Sequence, residues 1–171
     1  MLYPIMKQTL RATLTTLAFI FICDTTFSQN KKFVAFCADS NGIGHAFISL
    51  GYEDSEKLMT VNDGAWGLYP KESLNGVKSL VIGQVPGKIV DDYLRDTDLI
   101  LVITVNDEEY EKVISKLNLW STKNYELLKS DCLSFLIDVA NIFSYKLNIP
   151  RRTGLENHPA KFLEKLIENN N

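Results

Sequence analysis

Apolar and polar positions alternate with a period of two in the first half of the chain and change to a helical period in the second. "KFVAFCA" (32–38) predicts a strand with Phe33, Ala35 and Cys37 on one face, and the turn "DSNGIG" leads into "HAFISLGY" (45–52), a short apolar run bounded by glycines. The polar turn "EDSEK" and then "LMTVN" (58–62) predict a hairpin. "DGAWGLYPKESLNG" (63–76) is rich in turn formers and reads as a loop, "VKSLVIGQV" (77–85) as another strand, and "DLILVITV" (98–105) as a β-branched strand of buried type.

From Asn106 the spacing of Tyr110, Val113, Ile114, Leu117 and Trp120 predicts an amphipathic helix, with "NDEE" supplying a cap and an acidic first turn. A second helix is expected from Asp131 to about Leu147, with Phe135, Leu136, Val139, Ile142 and Phe143 inward and Pro150 as its stop. "PAKFLEKLIE" (159–168) predicts a third, with Pro159 in its first turn.

Residues 1–28 read as an export signal. Lys7 and Arg11 form the positive region, "ATLTTLAFIFIC" the apolar region, and Thr26 and Ser28 the short residues before a cut. Ile22 before Cys23 is a poor match to a lipoprotein signal, and the apolar run is short for a span of about 20 residues. The expected protein is then an exported single domain, 29–171, periplasmic or secreted, with no membrane span after cleavage. The formal charge of −3 becomes one unit more acidic on loss of Lys7, Arg11 and Asp24, which leaves no basic footprint for nucleic acid. Two cysteines remain after cleavage, Cys37 and Cys132, and in an exported protein a disulfide between them is one alternative.

The other alternative is chemical. In "SDCLSF", with Ser130 or Asp131 as N-cap, Cys132 falls in the first helical turn, where backbone N–H groups and the helix dipole favour a thiolate and offer donors to an oxyanion. A thiol nucleophile needs a base, and the domain has two histidines. His45 opens a strand and is the better held; His158 lies in "ENHPAK" before the last helix. The alternative for His45 is a partly buried ring satisfied by backbone. Two histidines in different elements fall short of a zinc ligand set, and "NGIG" enters a strand rather than a helix, so no metal, nucleotide or other cofactor is expected.

"DCLSF" resembles the nucleophile motif of the NlpC-like, papain-fold cysteine amidases, and "GHAFISLG" resembles their histidine strand. Because the histidine strand precedes the cysteine helix, the order is similar to the circularly permuted branch, which includes lecithin retinol acyltransferase-like proteins. "WGLYP", "PGKIVDD", "YELLKSDCLSF" and "LNIP" extend the likeness over most of residues 44–163. The resemblance implies an α+β, permuted papain-like (NlpC-like) fold: an antiparallel sheet on a central helix whose N-terminus carries the cysteine. It makes Cys132 the nucleophile and His45 the base, and it puts the group that orients the imidazole on the next strand, Asn62 first, Asp63 second, with Thr60 possible. It also suggests Tyr125 as an oxyanion donor or groove wall, with a core aromatic anchoring the loop as the alternative; Trp66 and Tyr69 read from the residues as a substrate wall or a cover on the sheet edge. The activity it implies is that of a cysteine hydrolase of amide bonds, with a peptide or peptidoglycan-like substrate. A non-catalytic binding or scaffold module and an acyltransferase or lipid hydrolase are the alternatives. Leu133-Ser134 stands where the family carries a small Ser-Gly pair.

Overall fold

The structure, a computed structural model, describes residues 31–171 except Ser55, Lys57, Ser73 and Leu74. The expected signal segment, 1–28, lies outside the described residues. The architecture is α+β. Among the described residues six antiparallel strands, β1 (Lys31–Asp39), β2 (His45–Glu53), β3 (Met59–Pro70), β4 (Val85–Asp91), β5 (Leu99–Val105) and β6 (Asn124–Tyr125), lie in the order β5-β1-β2-β3-β4-β6. Four helices accompany them among the described residues: α1 (Asn75–Ile82), α2 (Asp107–Trp120), α3 (Cys132–Ala140) and α4 (Pro159–Glu168).

The core sits between one face of the sheet and α2, α3 and α4. Val34, Phe36 and Ala38 of β1 and Ala46, Ile48 and Leu50 of β2 meet Phe135, Leu136 and Val139 of α3 and Phe162, Leu163 and Leu166 of α4. Each fully buried Leu, Ile or Phe in this layer contributes about 1.5–3 kcal/mol, so α3 is fixed by its apolar side. On the opposite face Phe33, Ala35, Cys37, Phe47 and Ala65 form a second, smaller cluster. With both faces of β1 enclosed, its burial is continuous rather than alternating.

Helix α2 starts as its sequence predicts, because Asn106 accepts from the Glu109 amide (2.9 Å) and the Glu109 carboxylate accepts from the Asn106 amide (2.8 Å). The last helix covers 159–168, with Pro159 in its first turn.

Four expectations are corrected. Residues 77–85 are not one strand: the chain is helical to Ile82, Gly83 adopts φ +80° and its amide bonds the Ser79 carbonyl at 3.0 Å, and β4 begins at Val85. A glycine just past a helix satisfies its last carbonyls in this way, and its presence inside the apolar run was the discriminating signal. The tract 63–70 is strand, not loop, because β3 has β2 on one side and β4 on the other to pair its backbone. Strand β5 is an edge strand with alternating exposure rather than a buried one, since among the described residues only β1 pairs with it. The second helix ends at Ala140 and tightens into a 3-10 turn over Asn141–Phe143, with Asn141, a poor helix former, at its cap.

Candidate active site

Asp131 places the cysteine. Its extended backbone and its side chain cap α3, accepting from the Ser134 amide at 2.9 Å, which puts Cys132 at the first helical position. Asp131 is nearly fully buried and carries a second load: Arg152 donates to both of its oxygens, at 2.7 and 2.6 Å, and the Leu128 amide donates to one at 2.7 Å. Burial pushes the Asp131 carboxyl up, but the hydrogen bonds and charge of Arg152, with the Ser134 and Leu128 amides, outweigh it and hold the group below its ordinary value.

Cys132 itself is buried, and both described cysteines are free thiols. Cys37 sits on the other face of the sheet, near the Ser49 hydroxyl at 3.9 Å, so it is not bonded to Cys132. The expectation of an easily ionised thiol is reversed. Burial and then the Asp131 charge push Cys132 up to about 12, while the backbone N–H groups of Ala46 and Leu133 and the more distant Arg152 pull the other way and lose. The helix start does supply donors to the sulfur; desolvation is the larger effect.

His45 opens β2. Its Nε2 lies 3.1 Å from Asp92 Oδ2, and its ring stacks on Tyr69 with centroids 4.3 Å apart and on Phe47 at 6.0 Å. The other Asp92 oxygen accepts from the Tyr69 hydroxyl at 2.7 Å, and Arg95 donates to that same hydroxyl at 3.1 Å and to Asp39 at 2.6 Å. Tyr69 is held protonated well past its usual range, first by burial and then by its bond to Asp92 and that carboxylate's charge. Gly67 makes the histidine contact feasible: a Cβ there would stand 2.2 Å from Asp92 Oδ2 and 2.4 Å from His45 Nε2.

Cys132 and His45 line one cavity of about 890 Å³, together with Tyr69, Tyr125, Leu133 and His158. From β2 the Ala46 amide, next in sequence to His45, donates to the sulfur. Strand alternation turns the His45 ring toward Phe47 and the Ala46 methyl toward the main core. Among the described residues, no hydrogen bond joins the Cys132 sulfur to the imidazole.

Asn62, Asp63 and Thr60 are not beside the imidazole, and none lines the cavity. Asn62 is exposed, and the Asp63 carboxylate accepts a short hydrogen bond from the Tyr110 hydroxyl. Antiparallel pairing explains this: Phe47 faces Gly67 and Gly51 faces Val61, so the start of β2 lies by the end of β3, with residues 62–64 bulged out several residues away. Trp66 also stands outside the cavity, its indole donating to the Asp63 carbonyl at 2.7 Å. Tyr125 is a buried cavity wall whose hydroxyl is pushed up by burial, then by the neighbouring Cys132 and Asp131. Asp92 is the residue sequence reading missed; the signal available was the carboxylate pair in "PGKIVDD", at the end of a strand.

Among the described residues, no group of three or more His, Cys, Asp or Glu is arranged to hold a metal ion, and no helix is long and apolar enough to cross a membrane. No protein-family model matches this chain, and no curated protein or solved structure matches it.

Proposed function

We propose that the chain is an exported, permuted papain-like cysteine hydrolase that cleaves amide bonds, with peptides of the cell-wall type as its accessible substrates. The observation that carries this reading is the meeting, in one cavity, of a cysteine at a helix start and a histidine backed by a carboxylate. The Cys132 sulfur attacks the carbonyl carbon as its proton passes to His45, on Nδ1, the nitrogen that Asp92 does not occupy. The Leu133 amide at the helix start donates to the oxyanion. The C–N bond breaks, His45 protonates the leaving amine, and water then resolves the thioester. Asp92 takes the orienting role that papain-like sites give to a third polar group. The His45 ring rests on the Phe47 side of β2 and the sulfur on the Ala46 side, so this step requires the ring to swing toward the sulfur when substrate fills the cavity.

A second reading, a binding module of the same fold, is favoured by the protonated, enclosed thiol. An acyltransferase or lipid hydrolase differs from the first reading in its acceptor or its leaving group. The test compares the protein with its Cys132→Ala variant on peptidoglycan fragments and on simple amides and esters, by mass spectrometry. Cleavage by the parent alone supports the hydrolase; equal product from both proteins discards Cys132 as nucleophile, and none from either favours the binding module.

A further inference from the structure

The imidazole Nε2 of His45 and the Tyr69 hydroxyl share the two oxygens of Asp92, at 3.1 and 2.7 Å, so the way that carboxylate turns decides where the imidazole sits. Asp92 heads a turn leaving β4. Its amide donates to the Ala65 carbonyl at 2.7 Å, and its own carbonyl accepts from the Arg95 amide at 2.8 Å. Residues 92–95 therefore carry the carboxylate that faces the imidazole at one end and a guanidinium at the other. Beyond them the loop is tied to β1 without Arg95, because the Thr97 hydroxyl and the Asp98 amide donate to the Ala38 carbonyl at 2.8 and 3.1 Å.

The guanidinium is placed against its usual preference. A planar fork ordinarily meets a carboxylate with two parallel bonds, one to each oxygen. Here Nε donates to Asp39 Oδ2 at 2.6 Å, Nη2 contacts that same oxygen, and Nη1 turns to the Tyr69 hydroxyl at 3.1 Å. Asp39 is buried, and its Oδ1 has no hydrogen-bond partner among the described residues. An unbonded buried carboxylate oxygen costs stability, and a fork laid across both oxygens would remove that cost. Departures of this kind gather at functional sites.

What the placement gains is direction. A guanidinium only donates, so the Tyr69 oxygen accepts from it, and the one hydroxyl proton is left for the Asp92 carboxylate, which only accepts. The Tyr69 ring also stacks on the imidazole, and Asp39 stands opposite His45 in the β1–β2 register, which closes the chain of contacts on the residue where it began. We propose that Arg95 is a positioning residue for the reaction at Cys132. By directing the Tyr69 proton to one oxygen of Asp92, it fixes the other oxygen on His45 Nε2 and leaves Nδ1 as the nitrogen that reaches the sulfur when the ring swings. Its effect on rate rests on the hydrolase reading above; its effect on the imidazole does not.

Arg95→Lys separates positioning from anchorage, because an ammonium keeps a cation beside buried Asp39 but lacks the planar fork that serves Asp39 and Tyr69 together. Tyr69→Phe keeps the stacked ring and removes the hydroxyl. The readouts are the imidazole 15N shifts of His45, thermal melting to show that each variant is folded, and kcat and KM on the amide or ester that the parent turns over. In both variants the Nε2 resonance is expected to move in the same direction. Their kcat is expected to fall at least about tenfold with KM within about twofold, a part of the roughly 100- to 10,000-fold that a positioned base supplies. Adding Arg95→Lys to Tyr69→Phe is expected to lower kcat by less than about twofold more, since the path through the hydroxyl is already cut. Unaltered Nε2 shifts in Arg95→Lys, or losses that multiply in the double variant, overturn the proposal and leave Arg95 a tie between the loop and β1. Shifts that move in a protein with no Cys132-dependent turnover sink the hydrolase and keep the hold of Arg95 on the imidazole. Shifts that move while kcat stays at the parent value in an active protein overturn the role of Arg95 in the reaction and keep the hydrolase.

Discussion

Gly67→Ala tests the His45–Asp92 pair with one methyl group. The Gly67 backbone lies outside the left-handed region, so alanine adopts it without torsional cost and the effect is steric. The added Cβ would stand 2.2 Å from Asp92 Oδ2 and 2.4 Å from His45 Nε2, where ordinary contacts begin at 3.4 Å. Both groups therefore retreat by about 1 Å, and a displacement of that size at a reacting group costs roughly 100-fold in rate, or about 2.7 kcal/mol of barrier. Overpacking also costs about 1–3 kcal/mol of stability, which lowers Tm by several degrees without unfolding the domain. The assays are kcat/KM on the amide or ester substrate established for the parent, thermal melting, and the imidazole 15N shifts, which report the hydrogen bond at Nε2 whether or not the protein is catalytic. In an Asp92→Ala background the clash with the carboxylate is gone and the His45 ring, already released, can swing into the vacated space, so the double variant is expected to be little worse than Asp92→Ala alone. A Gly67→Ala protein with kcat/KM within threefold of the parent and unaltered imidazole shifts would refute the claim that this glycine makes the pair possible.

Four further outcomes concern the groups around the cysteine. Arg152→Ala leaves Asp131 buried without its cation and is expected to cost about 3 kcal/mol at pH 7 in denaturant unfolding; because Asp131 is depressed in the folded state, that contribution is lost as pH falls below the ordinary carboxylate range, and the two proteins converge in acid. In a Cys37→Ala background, alkylation of Cys132 by iodoacetamide rises about tenfold per pH unit from 7 to 10 with no plateau, since burial pushes the thiol up to about 12; a plateau below pH 9 contradicts this. The same raised thiol keeps its proton where the unfolded chain has lost it, so in the same Cys37→Ala background stability declines as pH rises from about 8.5 toward about 10, a slope that Cys132→Ala removes; buried Cys37, pushed up to about 11, adds a like slope in the parent. Tyr125→Phe is expected to change stability by less than about 0.5 kcal/mol, because among the described residues nothing hydrogen-bonds its hydroxyl, and to leave kcat/KM within about threefold as befits a wall.

The elements legible in the sequence are those whose signal is local. Asn106 and Glu109 announce α2, Pro159 announces α4, and alternation announces β1 and β2. The cysteine's place at a helix start was legible for the same reason, since Asp131 caps three residues away at Ser134. What stayed hidden depends on partners distant in the chain. The stretch 63–70 contains two glycines and a proline and reads as a turn, yet β2 and β4 hold it as strand. Asp92 reaches His45 across 47 residues because β4 pairs with the far end of β3, a register that no short motif encodes. The thiol's ionisation failed in the same manner: the helix start is a local effect, and the enclosure that overrides it comes from the rest of the fold.

That enclosure constrains how any nucleophile at position 132 would work. With the thiol pushed up to about 12 by burial, it rests protonated at pH 7, and a standing thiolate is not its stored form. Proton removal must then accompany bond formation, and the proton must find a base inside the cavity. The Asp92 carboxylate, 3.1 Å from His45 Nε2, fixes the orientation of the ring, and the Tyr69 hydroxyl occupies its second oxygen. Asp131 opposes ionisation of the sulfur while fixing its position, and Arg152 offsets that opposition by neutralising the carboxylate. On the proposed reading, the protein keeps its sulfur unreactive toward solvent oxidants and alkylating agents until a ligand brings base and carbonyl together. The sulfur's selectivity then comes from what the cavity admits rather than from a permanently activated thiol.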